Sequence, residues 1–572
     1  MLSLRPLAVS LSVLILNQIA LAETSVAEQE VMSAVTRLGG TVQAEAGVVV
    51  AADLSDTNVS DAGLAFLRAF SHLRQLDLSD TPVSGEGLAR LEGLAELESL
   101  RLDVVECHTM KRVSSACLER LATLPKLRHV SLRGRAINHE GVQCIARITG
   151  LQSLDLSSTN IDDEGLAKLV TLHDLCELHL SGTSISDVGL SSLAGMRHLK
   201  VLSLEGTKVS DGGIQHIKGL TNLRRLDFGT HVSAEVVRQL KGLEHLEDLR
   251  FGLYSSVDDR TLEAIAQHNH LKTLRVWGSQ ISDKGLVHLD VLKDLEHLEL
   301  WTAKPTDIGL AHLRQLARVR YLDLWCGTGA ALPDASAECL HELRMTSPDL
   351  NDSGLDRIGT FRKLRTLHIC AMHVTDAGLR PLQGLEFLEE LAIFPGWGGD
   401  GGQPVTETTG DGLANLNRLV NLKRLYLRGL PLGKSGVRHL AGLQHLEELD
   451  LWGTKVTDAA LSHLKGLSQL RSLNLAYCEL TDAGLENLRD LRQLRKLALT
   501  HTKVSNTGLA KMRNMTQLRW LGLSGTNVDD AGMSELARHG RLQQMELPAH
   551  VSFDALERLK KALPNTVISI GN

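Results

Sequence analysis

Two acidic residues, Glu299 and Asp323, lie 24 positions apart in matching surroundings, H-L-E-L-W and Y-L-D-L-W. If both segments are neighbouring strands, the carboxyl groups come about 5 Å apart, the spacing at which retaining glycosidases pair a nucleophile with a general acid. Arg275 and Arg344 occupy the corresponding places on either side. Flanking guanidinium groups are expected to hold both carboxylates ionised, which takes away the acid. A glycoside hydrolase using Glu299/Asp323 is therefore a remote alternative, and the same segments read better as a binding surface. Trp277, Trp301 and Trp325 recur at the same 24-residue interval, and indole rings on an exposed sheet serve as apolar anchors inside a polar rim.

Other reactive types carry less. Cys107 and Cys117 bracket one irregular stretch, and Cys326 and Cys339 bracket another. In an exported protein each pair is a candidate local disulfide. Cys144, Cys176 and Cys370 have no metal-ligand spacing, and no metal or cofactor is expected. Gly396, Gly398 and Gly401 match G-x-G-x-x-G, but no βαβ unit surrounds them, so a surface loop is expected. No zinc-protease, nucleophile-elbow or phosphate-loop motif occurs, and the chain reads as non-enzymatic.

The elements that position these residues are repeats. The glycine of an Asp-x-Gly-Leu signature recurs at Gly63, Gly87, Gly141, Gly165, Gly189, Gly213, Gly285, Gly309, Gly354, Gly378, Gly412, Gly436, Gly484, Gly508 and Gly532, mostly in steps of 24. With degenerate copies between them this makes about 21 units, and a fixed period of that size means a solenoid. The unit reads L-x-x-L-x-L-x-x-T-x-V/I-S/T-D-x-G-L-x-x-L-x-x-L. Its first part alternates as a strand does, and its second places leucines three apart as a helix does. All repeats run in one sense, so the strands must be parallel, with helices on the opposite face. Each unit is too small to fold alone, and stacking makes one leucine core.

Thr57, Thr81, Thr159, Thr183, Thr207, Thr454, Thr502 and Thr526 occupy one place, three residues after the last strand leucine. A hydroxyl there is expected to bond turn backbone that would otherwise be buried unpaired. Cys478 and Ser279 stand in the same place and inherit that role. Asp187, Asp211, Asp458 and Asp482 precede the helical part, where a carboxylate caps orphan N–H groups of its own helix.

This pattern resembles the leucine-rich repeat over nearly all of residues 48–550. Its T-x-V-T/S-D-x-G-L flavour is similar to secreted bacterial leucine-rich-repeat proteins of the planctomycete type, and to the cysteine-containing repeats of F-box proteins. The resemblance implies an α/β horseshoe or arc, a parallel sheet on the concave face, short helices on the convex face, and a scaffold for binding proteins. A ubiquitin-ligase receptor is not expected, since the segment between the signal-like residues and the repeats is too short for an F-box.

Residues 1–22 read as a secretory signal peptide, with Arg5, an apolar run from Leu7 to Leu16, and Ala20-Leu21-Ala22 as cleavage site. Residues 23–47 carry an amphipathic helix, about Val26 to Leu38, expected to cap the solenoid. Residues 551–572, with a helix from Phe553 to Leu563 and a final strand, form the other cap. The protein is expected in the periplasm, at the cell surface or secreted, and no segment after residue 22 is long and apolar enough to span a bilayer. The formal charge is −7 with both signs interspersed, which argues against a nucleic-acid partner.

If the leucines of L1-x-x3-L4-x5-L6-x7 face the core, positions 3, 5 and 7 line the inner surface. Column 7 collects Trp277, Trp301, Trp325, Phe394 and Trp452, column 5 Arg250, Arg275, Glu299, Asp323, Arg344 and His368, and column 3 His297 and Tyr321. Four of the six tryptophans stand in column 7. These residues are the candidate site, for a protein partner first and a cell-envelope polysaccharide as the alternative. Repeats 230–435 depart most from the consensus, which marks them for function.

Overall fold

The structure, a computed structural model, describes residues 26–104, 118–137, 139–229, 232–252, 255, 257–302, 305–326, 339–370, 372–397, 404–433, 436–564 and 566–571. The signal-like segment, Cys107 and Cys117 lie outside them. The chain divides into two compact units, residues 1–256 and 257–572.

In the first unit a helix, Val26–Arg37, leads into the strand Thr41–Glu45. This strand, within the cap, pairs antiparallel with Val48–Asp53. Ala46 and Gly47 both take positive φ there, closing a tight hairpin that reverses the chain before the repeats begin. From Val48–Asp53 onward the ladders are parallel, through Gln75–Asp77, Ser99–Arg101 and their successors to Asp248–Phe251. In the second unit parallel pairing runs from Thr273–Trp277 to Val567–Gly571, with the helix Phe553–Ala562 just before the last strand. A separate small antiparallel pair, Gly396–Trp397 with Pro404–Val405, stands in the glycine-rich stretch.

In register the strand leucines stack on one another, as Leu274, Leu298 and Leu322 do, and they are buried. The threonine ladder holds at all eight positions: each hydroxyl donates to the carbonyl three residues back, for example Thr57 to Leu54 at 2.6 Å and Thr454 to Leu451 at 2.6 Å. Cys478 substitutes by reaching the carbonyl of Leu451 in the preceding repeat at 3.1 Å. Arg135, in the same place, does likewise with Leu102, Nε to O at 2.6 Å. Ser279 is exposed and takes no such role.

The helices are shorter than the pattern suggests, typically one α turn running into a 3-10 turn, as in Asp187–Leu190 and Ser191–Gly195. Their caps also differ from expectation. The N-cap is the Ser or Thr before the aspartate: Ser186, Ser210 and Thr481 each accept the N–H two residues on. Asp187, Asp211 and Asp482 are each the first helical residue, Asp458 stands in the turn before the 3-10 helix Ala460–Leu464, and each carboxylate is engaged by the next repeat. Asp482 takes the backbone N–H of Ser505 at 2.7 Å and its hydroxyl at 2.6 Å, and Asp458 binds Thr481 in the same way.

Eleven of the 25 strands among the described residues are three residues long, but those from Thr273–Trp277 to Glu390–Phe394 have five or six. Elsewhere a residue with positive φ, such as Gly182, Gly206, Gly429 or Gly453, turns the chain away two positions after the last strand leucine. Among the described residues none with positive φ occurs between Gly206 and Gly429. Without that turn the strand continues through position 7, the column of the tryptophans.

Candidate functional site

The lengthened strands put Trp277, Trp301 and Trp325 in direct register. The rings of Trp277 and Trp301 stack with centroids 4.0 Å apart and planes at 20°. Trp325 continues the column at 6.4 Å and 22°. Stacking half-buries the first two, while Trp325 at the end keeps 37% of its surface exposed. In column 3, His297 and Tyr321 stack at 4.0 Å with nearly parallel planes.

Column 5 carries the charge. Arg275 holds Glu299 through Nε at 2.6 Å and Nη2 at 3.0 Å, and His297 Nε2 lies 2.9 Å from the same carboxylate. Burial pushes the Glu299 pKa up, but the hydrogen bonds from His297 and Arg275 outweigh it and bring it to about 2. Asp323, beside it in register, behaves in the opposite way. Burial and then the charge of Glu299 raise it to about 6, against Arg344 and a hydrogen bond from Tyr321. Arg275 and His297 thus hold Glu299 ionised, whereas the flanking guanidinium groups do not lower Asp323, which at about 6 is still largely ionised at neutral pH. The reason is geometric: Arg344 spends its guanidinium on Glu342, with Nε and Nη2 each 2.9 Å from Oε1, and sits over the Tyr321 ring at 5.8 Å. The cluster of Arg275, Glu299, Asp323, Glu342 and Arg344 therefore holds three carboxylates against two guanidinium groups.

Further along, His368 Nε2 meets Glu390 at 2.7 Å and Arg424 Nε meets it at 2.5 Å. Phe394 stands edge-on to His368 at 6.4 Å. Trp452 belongs to the same column, among shorter strands. Arg250 lies in the first unit, where Asp248 binds it at 2.8 and 2.9 Å. Cys326 and Cys339 are free thiols rather than a disulfide. Cys326 ends its strand with the side chain turned into the interior, hydrogen-bonded with Ser347, and burial pushes its thiol up to about 11. Among the described residues no group of His, Cys, Asp and Glu is placed to hold a metal ion.

Column reading missed one feature. Trp452 leads a row of rings that leaves its column: Tyr477 at 5.1 Å and then His501 at 4.5 Å from Tyr477. Tyr477 and His501 occupy the turn position two after the last strand leucine, with φ 57° and 53°. The signal was available as two aromatic residues 24 apart where neighbouring repeats have Gly453 and Gly525.

Comparison with known family models agrees with the repeat. A family model described as a leucine-rich repeat region matches residues 89–333. Models described as leucine-rich repeat match residues 444–504 and 71–91. No curated protein matches the chain. Among solved structures, an internalin (InlF) from Listeria monocytogenes is 19% identical, covering 65% of this chain and 96% of its own, with a TM-score of 0.38. The TLR13 chain of a TLR13–ssRNA13 complex is 17% identical, covering 87% of this chain and 84% of its own, with a TM-score of 0.47. The plant peptide hormone receptor RGFR1, solved with RGF2, is 14% identical, covering 89% and 92%, with a TM-score of 0.29.

Proposed function

Taking the chain as the leucine-rich-repeat protein that its repeats and fold make it, we propose that it is an exported, non-enzymatic scaffold of the secreted bacterial type. It binds a protein partner through the sheet face of its second unit. The observation that carries this reading is the indole stack. Three tryptophans on adjacent strands expend a large apolar area where the leucine core is already complete, and the stack ends in an exposed Trp325. Charged rows in columns 3 and 5 border it. An apolar anchor ringed by charge is the composition of a protein-binding hot spot.

Residues 1–22 supply the export reading, and among the described residues no helix is long and apolar enough to cross a membrane. Against catalysis stands the state of Glu299. Its side chain is 12% exposed and clasped by Arg275 and His297, which fits a structural anion better than a nucleophile.

Site-specific photocross-linking tests the proposal. A benzophenone amino acid at position 325 is expected to yield a discrete protein adduct in cells. The same group at Ile308, a helical residue 74% exposed, is expected to yield none. Equal adducts from both positions, or none from 325, would overturn the reading.

A further inference from the structure

The row Trp452, Tyr477, His501 borders a part of the sheet face whose chemistry differs from that of the indole stack. At positions 5 and 7 of the strands ending at Asn474, Ala498 and Gly522, the residues are Asn474, Ala476, Ala498, Thr500, Gly522 and Ser524. None carries a formal charge. Trp520 lies across Gly522, whose missing Cβ would come 2.6 Å from the indole edge. His501 likewise lies over Gly525, where a Cβ would meet Nδ1 at 2.5 Å. Two glycines thus make room for two rings to lie against the backbone. Formal charge stands at the margin: Arg428 and Asp450 neutralise each other at 2.6 Å, Glu546 lies in register beside Gly522, and Lys496 occupies position 3 of the middle strand.

Tyr477 adds an independent observation. A bulky side chain at positive φ is a backbone outlier, and strain of that kind persists where function demands it. Gly429, Gly453 and Gly525 take the same turn in nearby repeats without that cost. Asp56, Asp80 and Ser158 take this turn with positive φ in other repeats, so the turn accepts glycine and small polar residues and does not itself call for a tyrosine ring. Its ring touches Trp452 on one side and His501 on the other, and 48% of its surface remains exposed.

From this arrangement we infer that residues 452–525 form a second binding site, distinct from the indole stack, that takes a neutral oligosaccharide. Aromatic faces stack on the apolar C–H faces of pyranose rings. The amide of Asn474 and the hydroxyl of Thr500 supply uncharged hydrogen bonds, and the absence of formal charge at positions 5 and 7 of these three strands suits a neutral ligand. The row repeats about every 5 Å because parallel strands do, and a polysaccharide chain advances through its sugar units on a similar scale.

The test uses the full chain and three neutral probes, cellohexaose, chitohexaose and xylohexaose, with hexagalacturonate as the charged control, each followed by calorimetric titration to millimolar concentration. At least one neutral probe is expected to saturate, and hexagalacturonate is not. Tyr477→Gly is expected to weaken binding at least tenfold and His501→Ala at least threefold, while Ile308→Ala on the helical side has no effect. Since glycine suits the turn, Tyr477→Gly is expected to keep a Tm at or above that of the parent, so a loss of binding is not a loss of fold. No saturation by any neutral probe, or binding that survives Tyr477→Gly, would overturn the inference.

Discussion

Asp187 of one repeat grips Ser210 of the next: one carboxylate oxygen accepts the backbone N–H at 2.7 Å and the other accepts the hydroxyl at 2.6 Å. Ser210 in turn caps the helix that it begins. Each aspartate thus orients the cap of its neighbour, and the signature that marks the repeat is a bond between repeats. Asp187→Ala removes two charge-assisted bonds and is expected to cost about 2 kcal/mol. Stability in a solenoid is a sum of repeat and interface terms. Hydrogen exchange should therefore accelerate mainly in residues 187–215, and uniform acceleration along the chain would contradict a local clasp.

The clasp also explains the glycine two residues after the aspartate. A Cβ at Gly213 would stand 2.5 Å from Asp187 Oδ1 and 3.0 Å from its Cα. Gly213→Ala is expected to destabilise by about 1–3 kcal/mol, as overpacking does. Gly195, at the end of a 3-10 turn, has open space around its Cβ direction, and Gly195→Ala is expected to be neutral or to stabilise by up to about 1 kcal/mol. Thermal denaturation of the two variants decides, and an equal effect would refute the clasp as the reason for the signature.

Much of this was legible in the sequence, and what was not has identifiable causes. The 24-residue period gave parallel strands and a leucine core, and a polar residue at a fixed place after the strand gave the threonine ladder. The aspartate was misassigned to its own helix because its partner lies 23 residues on, in a repeat that the pattern treats as a separate copy. The column rule placed Trp277, Trp301 and Trp325 in register. It lost Tyr477 because those rings sit on the turn rather than on the strand. The raised pKa of Asp323 was missed because Arg344 turns to Glu342 in its own strand, a choice that residue spacing does not reveal.

The two carboxyls of column 5 predict opposite pH behaviour. Glu299 has its pKa lowered from 4.5 to about 2, so its contribution to stability is present above pH 4.5 and is lost as pH falls toward 2. Asp323 is raised from 3.8 to about 6, so folding favours its protonated form, and stability is lost as pH rises through 6. Asp323→Asn is expected to raise Tm relative to the parent at pH 8, with the gain shrinking by pH 4. Glu299→Gln is expected to lower Tm at pH 7, with the deficit shrinking toward pH 2. A Tm difference for Asp323→Asn that does not change between pH 4 and 8 would contradict the assignment.

The threonine ladder is testable at Thr454, which is fully buried and donates to Leu451 at 2.6 Å. Thr454→Val keeps the volume and removes one donor from the Leu451 carbonyl, which keeps the Thr454 N–H and the Cys478 thiol, for an expected loss of about 0.5–1.5 kcal/mol. Thr454→Ser keeps the hydroxyl and should lose less. If chemical denaturation shows valine to be as stable as threonine, the hydroxyl is not what the position requires.

Removal of the indole stack tests the proposed protein-binding face most directly. The full chain and its Trp277→Ala/Trp301→Ala/Trp325→Ala variant would be immobilised in parallel and exposed to an envelope extract of the source organism, then washed at rising salt. A protein held by the parent, absent from the folded variant and released as ionic strength increases is the predicted result, because charged rows border the apolar stack. Identical retention by both chains would contradict it and leave the tryptophans as a cover for the sheet.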